Sequence, residues 1–194
     1  MELETTWIDI TVNQRETIVG SALIGTIVGS LLGGPMGDNY GRKVSIILGD
    51  ISFATGSIVM SLTPSIGILI LGRFMVGVGV GLTSMVVPVY LSEIAPTEIR
   101  GRMTSFYVFN QTAAMVIAYF VCYLCGSNWR LMMAITAIPA IVQLLGILNL
   151  SETPIFLLRI ASKDEAIEAL THIYKHPYIH EKISEIQQEV KSVQ

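Results

Sequence analysis

The chain has 194 residues, 52% of them hydrophobic and only 14% charged, with a formal net charge of −3 and a mean hydropathy of +0.61. Soluble domains carry about 25% charged residues, so the composition argues against a water-soluble enzyme, and it excludes intrinsic disorder, which needs low hydrophobicity and high charge. With no basic surplus to hold a polyanion, nucleic acid is not expected as a partner.

Residues 1–16 are polar and carry Glu2, Glu4 and Asp9. No structure is assigned to them, and without a basic leader they do not make the next run a signal peptide. Apolar runs follow at roughly 17–37, 44–62, 66–90, 104–125 and 131–150. A spanning helix needs about 20 mostly apolar residues, so all five runs are expected to cross a bilayer. They exceed barrel-strand length and do not alternate apolar with polar, which argues against strands. Residues 151–194 are too charged to span. Ser162-Lys-Asp-Glu165 reads there as a capping box before Ala166, Ile167, Leu170 and Ile173. Pro177 ends that helix, and Ile179, Ile183, Ile186 and Val190 recur at helical spacing on a second one. Both are expected to lie at a membrane face.

Lysine and arginine placement sets the expected orientation. Arg42, Lys43, Arg100, Arg102, Arg159 and Lys163 fall on one side of the five spans, and Arg15 and Arg130 on the other. The segments 38–43, 92–103 and 151–194 are therefore expected in the cytoplasm, and residues 1–16 outside it. The expected product is a multi-pass protein of the plasma or vacuolar membrane. An odd number of spans behind an exported, leaderless N-terminus suggests further sequence upstream.

Inside the first span, Ser21, Gly25, Gly29, Gly33 and Gly37 repeat every four residues, and Gly77, Gly79 and Gly81 follow in the third. Small residues on one face let helix backbones approach closely. That face requires a neighbouring helix, whether it packs statically or slides. Arg73 lies near the outer end of the third span, where it is either functional or anchored at the interface. Asp50 lies about two turns into the second span, as a proton-linked carboxylate or a packing group. Asn110, Gln111 and Thr112 interrupt the fourth span. Their amides suit a polyhydroxylated ligand, or they form a hydrogen bond between helices.

Other motif matches carry no chemistry. Cys122 and Cys125 have redox spacing inside a membrane run. Asn110 and Asn149 match the glycosylation sequon, one within the bilayer and one at the cytoplasmic face. His172, His176 and His180 are evenly spaced, but Pro177 interrupts their helix. No metal, cofactor or catalytic set is expected.

Gly34-Pro-Met-Gly-Asp38-Asn-Tyr-Gly41-Arg42-Lys43 resembles the signature between helices two and three of the major facilitator superfamily. Arg73-Phe-Met-Val-Gly-Val-Gly-Val-Gly81, with Pro88-Val-Tyr-Leu-Ser-Glu93-Ile-Ala-Pro96 and Arg100-Gly101, resembles the helix-four region of its sugar porters. Ser151-Glu-Thr-Pro-Ile-Phe-Leu157 resembles the motif closing helix six. Within that group, Arg15-Glu-Thr-Ile-Val19, Gly49-Asp50, Asn128-Trp-Arg130 and Ile138-Pro-Ala-Ile-Val-Gln143 are similar to plant-type inositol transporters.

The resemblance implies five helices matching the second to sixth of twelve, a partial N-terminal bundle. It implies transport of a polyol or sugar, inositol first, with protons as co-substrate and the bilayer as surroundings. Arg73 would pair with a helix-one aspartate in proton coupling. Asp38, Arg42, Glu93, Arg100 and Glu152 would form a cytoplasmic charge network with Gly34, Gly41, Lys43 and Gly101 around it. Asn39 and Ile155 replace usual basic residues, so that network is expected to be weak. Val108 stands where many hexose porters have a sugar-binding glutamine, and Gln111 is one turn further along. The chain by itself is expected not to transport. The rival expectation is a transport-dead truncated protein that acts by association with a partner, such as another transporter chain supplying the missing helices, or has no function.

Overall fold

A computed structural model describes residues 11–95, 99–126 and 128–160. They form α1 (Val12–Tyr40), α2 (Arg42–Leu62), α3 (Ile66–Ile94), α4 (Arg100–Cys125), α5 (Trp129–Leu148) and α6 (Pro154–Ile160). The first five are long and apolar enough to cross a membrane. No strand occurs among the described residues.

Local chemistry sets the boundaries. The Thr11 N–H donates to Gln14 Oε1 at 3.0 Å, so α1 starts five residues before its apolar run does. One residue, Gly41, separates α1 from α2 at φ +100°, a conformation that L side chains rarely adopt. Thr63 ends α2 in an extended conformation, as expected of a residue before proline. Its hydroxyl donates to the Ser65 carbonyl at 2.9 Å, and Ser65 Oγ then accepts the Ile68 N–H. Gly126, at φ +55°, ends α4.

The helices therefore overrun the apolar segments. α1 starts at 12 and ends at 40, α3 continues to 94, and α4 begins at 100. Hydropathy stops at the first charge, whereas backbone hydrogen bonding continues through the charged ends. α5 is the exception and ends two residues short of its run, at Leu148. Residues 154–160 add α6, which the sequence reading did not separate. The capping box at Ser162, the helices after it and all three histidines lie outside the described residues.

The small-residue face of α1 has its neighbour within the chain. A Cβ on Gly25 would strike the Phe74 carbonyl, and one on Gly29 the Val78 carbonyl. From the opposite side, a Cβ on Gly77 would strike Ala22 O and one on Gly81 would strike Thr26 O. Position numbers rise together, so α1 and α3 run in the same direction with their backbones in contact. α2 packs antiparallel on α5: Thr136 Oγ1 lies 3.3 Å from Ser57 Oγ, and Ile46 meets Ile147 at the other end. Ile46, Val86, Tyr90 and Ile147 form a buried cluster at that end. α4 packs beside α3 and α5 and buries no residue.

Candidate functional site: a charge cluster and lone polar residues in the spans

The ends of α1, α2, α3 and α5 meet at Gly41. The Arg42 side chain is 10% exposed, and its Nη2 lies 3.0 Å from Glu93 Oε1 and 3.2 Å from Asp38 Oδ1. Nη1 donates to the Gly37 carbonyl at 2.9 Å. The Phe156 ring lies under the guanidinium, 5.8 Å from its carbon. Arg42 thus ties the end of α1 to the end of α3 and covers α6.

Glu152 makes a different contact. It accepts the Lys43 backbone N–H at 3.0 and 3.2 Å, placing a carboxylate at the start of α2. The Lys43 ammonium donates to the Leu148 and Leu150 carbonyls at 3.0 and 2.7 Å, at the end of α5. Each charge sits at the helix terminus whose dipole favours it. A Cβ on Gly41 would lie 2.5 Å from Glu152 Oε2, so the glycine also leaves room for the carboxylate. The Tyr90 hydroxyl donates to the Ser151 carbonyl at 2.8 Å. Gly34 lies near the end of α1, and a Cβ there would meet nothing within 4 Å.

Arg100 and Gly101 are not brought into this cluster. Both are exposed at the start of α4, and no ion pair joins Arg100 to Asp38, Glu93 or Glu152 among the described residues. The Lys43 and Tyr90 bonds were not anticipated. Lys43 was legible only as a member of the signature, and its partners are backbone carbonyls, which no side-chain pattern encodes.

The polar residues within the spans stay apart. Arg73 is half-buried, and its Nε is sealed from solvent without a hydrogen-bond partner. Asp50 is 3% exposed, and its Oδ2 likewise has no partner. Asn110 donates to Phe106 O at 2.8 Å and Thr112 to Val108 O at 3.1 Å, each within α4. Gln111 is exposed beside them. These residues therefore form no hydrogen bond between helices. No group of three or more metal-ligating side chains exists among the described residues.

Five apolar helices, four of them meeting at a charge cluster, with isolated polar groups in their spans, define a multi-pass membrane protein. The family model described as "Sugar (and other) transporter" matches residues 7–194. The chain belongs to this sugar transporter family, the sugar porters of the major facilitator fold. It is 34% identical to Probable inositol transporter 3 of Arabidopsis thaliana over 181 residues, covering 92% of this chain and 31% of that protein. It is 32% identical to the proton myo-inositol cotransporter of Homo sapiens, covering 91% and 28%. The xylose transporter XylE from E. coli, in a partially occluded inward-open conformation, superimposes with a TM-score of 0.82 at 24% identity. That match covers 96% of this chain and 51% of XylE, and it shows the fold. The chain spans about a third of the length of the curated relatives it matches. Relatives and fold are those of transporters, not enzymes.

Proposed function

We propose that these helices belong to a proton-coupled carrier for a cyclic polyol or sugar, with myo-inositol as the preferred substrate. The similarity to inositol transporters over nine-tenths of the chain supports the substrate class. Proton coupling rests on one observation, the partnerless Nε of Arg73 within α3. A cation buried in a span is costly unless it meets a counter-charge. A carboxylate on a neighbouring helix would pair with Arg73 when ionised and release it when protonated. That exchange links proton binding to helix movement.

Substrate would be held at the level of Asn110, Gln111 and Thr112. Amide and hydroxyl groups there match the hydroxyls of a polyol in number and polarity. The wall facing α4 would come from further helices, of the same polypeptide or of another chain. Alternating access then consists of this bundle rocking against a second one. The cluster of Asp38, Arg42, Glu93 and Glu152 would lie at the cytoplasmic end and hold one of the two states closed.

The test uses vesicles holding these helices joined to a second bundle. An inward proton gradient should drive accumulation of labelled myo-inositol in preference to glucose. Arg73→Ala should abolish accumulation and leave substrate exchange in place. Unchanged accumulation in Arg73→Ala would overturn the coupling role, and a preference for glucose would overturn the substrate. A second reading, association without transport, is supported by the largely open surface of α4, which buries no residue.

A further inference from the structure

One titratable group in the bundle is used by none of these contacts. Asp50 lies eight residues into α2 from Arg42, about 12 Å along the axis at 1.5 Å per residue. It is 3% exposed, and its Oδ2 has no hydrogen-bond partner. Its neighbour Gly49 marks a close approach of α2 to α3. A Cβ on Gly49 would lie 2.7 Å from Thr83 Cγ2, and a Cβ on Gly79 would lie 2.6 Å from the Gly49 carbonyl. Gly49 and Gly79 thus bring the two backbones together beside the carboxyl. On the other side α5 closes the seam between Thr136, at the level of Ser57, and Ile147, at the level of Ile46.

In α2, Asp50 is the only charged residue between Lys43 and Leu62. α3 has none between Arg73 and Glu93, and α5 has none after Arg130. In α3, Arg73 follows Gly72, which packs at the level of Gly56, six residues along α2 from Asp50, and no ion pair joins Arg73 to Asp50 among the described residues; towards the other end Tyr90 packs with Ile46 and donates to Ser151 O. Arg42 and Lys43 are committed to Asp38, Glu93 and backbone carbonyls. α1 contributes Asp38 at that same end, and its Arg15 and Glu16 lie at the far end. No cation is paired with Asp50 among the described residues.

An ionised carboxylate in an apolar interior is held there only by a counter-charge or several hydrogen-bond donors, and without them it takes up a proton. We propose that Asp50 is a resident proton-binding site: the α2–α3–α5 seam holds it as the neutral acid at neutral pH. This proton is separate from the one exchanged at Arg73. The seam is closed by backbone contact, so the proton stays with α2 as the bundle moves. Asn reproduces the shape and neutrality of the acid, and a carboxylate does not.

Infrared spectroscopy of the purified chain in lipid tests this directly. Protonated carboxyls and carboxylates absorb at separate carbonyl frequencies. At about pH 7, where solvent-facing acids have ionised, wild type should retain a protonated-carboxyl band. Asp50→Asn should lose that band, fold in equal yield, and leave the carboxylate bands unchanged. Absence of the band from wild type overturns the proposal without any variant. So does a band that survives in Asp50→Asn, or a variant spectrum that loses a carboxylate band instead. The spectra do not depend on transport, so they stand apart from the outcome at Arg73.

Discussion

Arg42 binds two carboxylates at almost the same distance, yet the two pairs differ in weight. The Asp38 side chain is 56% exposed and that of Glu93 10%. Water screens the first pair, and exposed ion pairs contribute below about 1 kcal/mol. Removing one partner of a buried pair strands the other charge and costs about 3 to 5 kcal/mol. Arg42→Ala should therefore lower the melting temperature of the purified protein strongly and Asp38→Asn only slightly. Glu93→Gln should fall between, because Arg42 retains the Gly37 carbonyl and the Phe156 ring. Equal losses for Asp38→Asn and Arg42→Ala would show that exposure does not rank these pairs. The motifs pointed to Asp38, Arg42 and Glu93 together. Their ranking was not legible, because exposure depends on what α3 and α6 cover.

At the scale of the helix, the α1–α3 contact depends on absent side chains. Lipid gives no hydrophobic drive for helices to associate, so close packing of small residues supplies the attraction. Gly25 and Gly29 meet α3 carbonyls directly, whereas a Cβ on Gly20 would meet nothing within 4 Å. Gly25→Leu should push the helices apart and lower stability by at least about 1 to 3 kcal/mol, the usual cost of overpacking. Gly20→Ala should raise it by about 0.5 to 1 kcal/mol, since alanine loses less freedom in a helix. Thermal unfolding of the two variants checks both signs, and a stable Gly25→Leu protein would place the contact elsewhere. Orientation is also set at this scale. With Cys122 and Cys125 replaced, a cysteine at exposed Asn128 should react with an impermeant reagent from outside intact cells, and one at exposed Asn39 should not. The basis is the excess of lysine and arginine at the Arg42 end. Reaction at position 39 alone would invert the bundle.

The molecule as a whole divides into a packed part and an open part. α1, α2, α3 and α5 share buried contacts, and α4 stands along their side with nothing buried. Alternating access requires two bundles enclosing a site, and Asn110, Gln111 and Thr112 face no opposing wall among the described helices. The 194-residue polypeptide in vesicles with a proton gradient should therefore accumulate myo-inositol no better than empty vesicles. Saturable, gradient-driven uptake by the purified chain would mean that several copies assemble a cavity. Co-purification with a second set of carrier helices would agree with the open face of α4.

The number of spans, the membrane class and the family were legible in the sequence. Each rests on local properties, namely run length, charge placement and residue spacing, which survive without a fold. The four-residue glycine spacing of α1 also announced a packed face. It did not name the partner, because any helix with a matching small-residue surface satisfies the pattern. Only the tertiary structure chose α3, placed Glu152 on the Lys43 N–H rather than in an ion pair with Arg100, and left Arg100 outside the cluster. Those outcomes depend on helix direction and on the single-residue turn at Gly41. Such relations join residues about 50 to 110 positions apart, and hydropathy and spacing along one segment carry no information at that range.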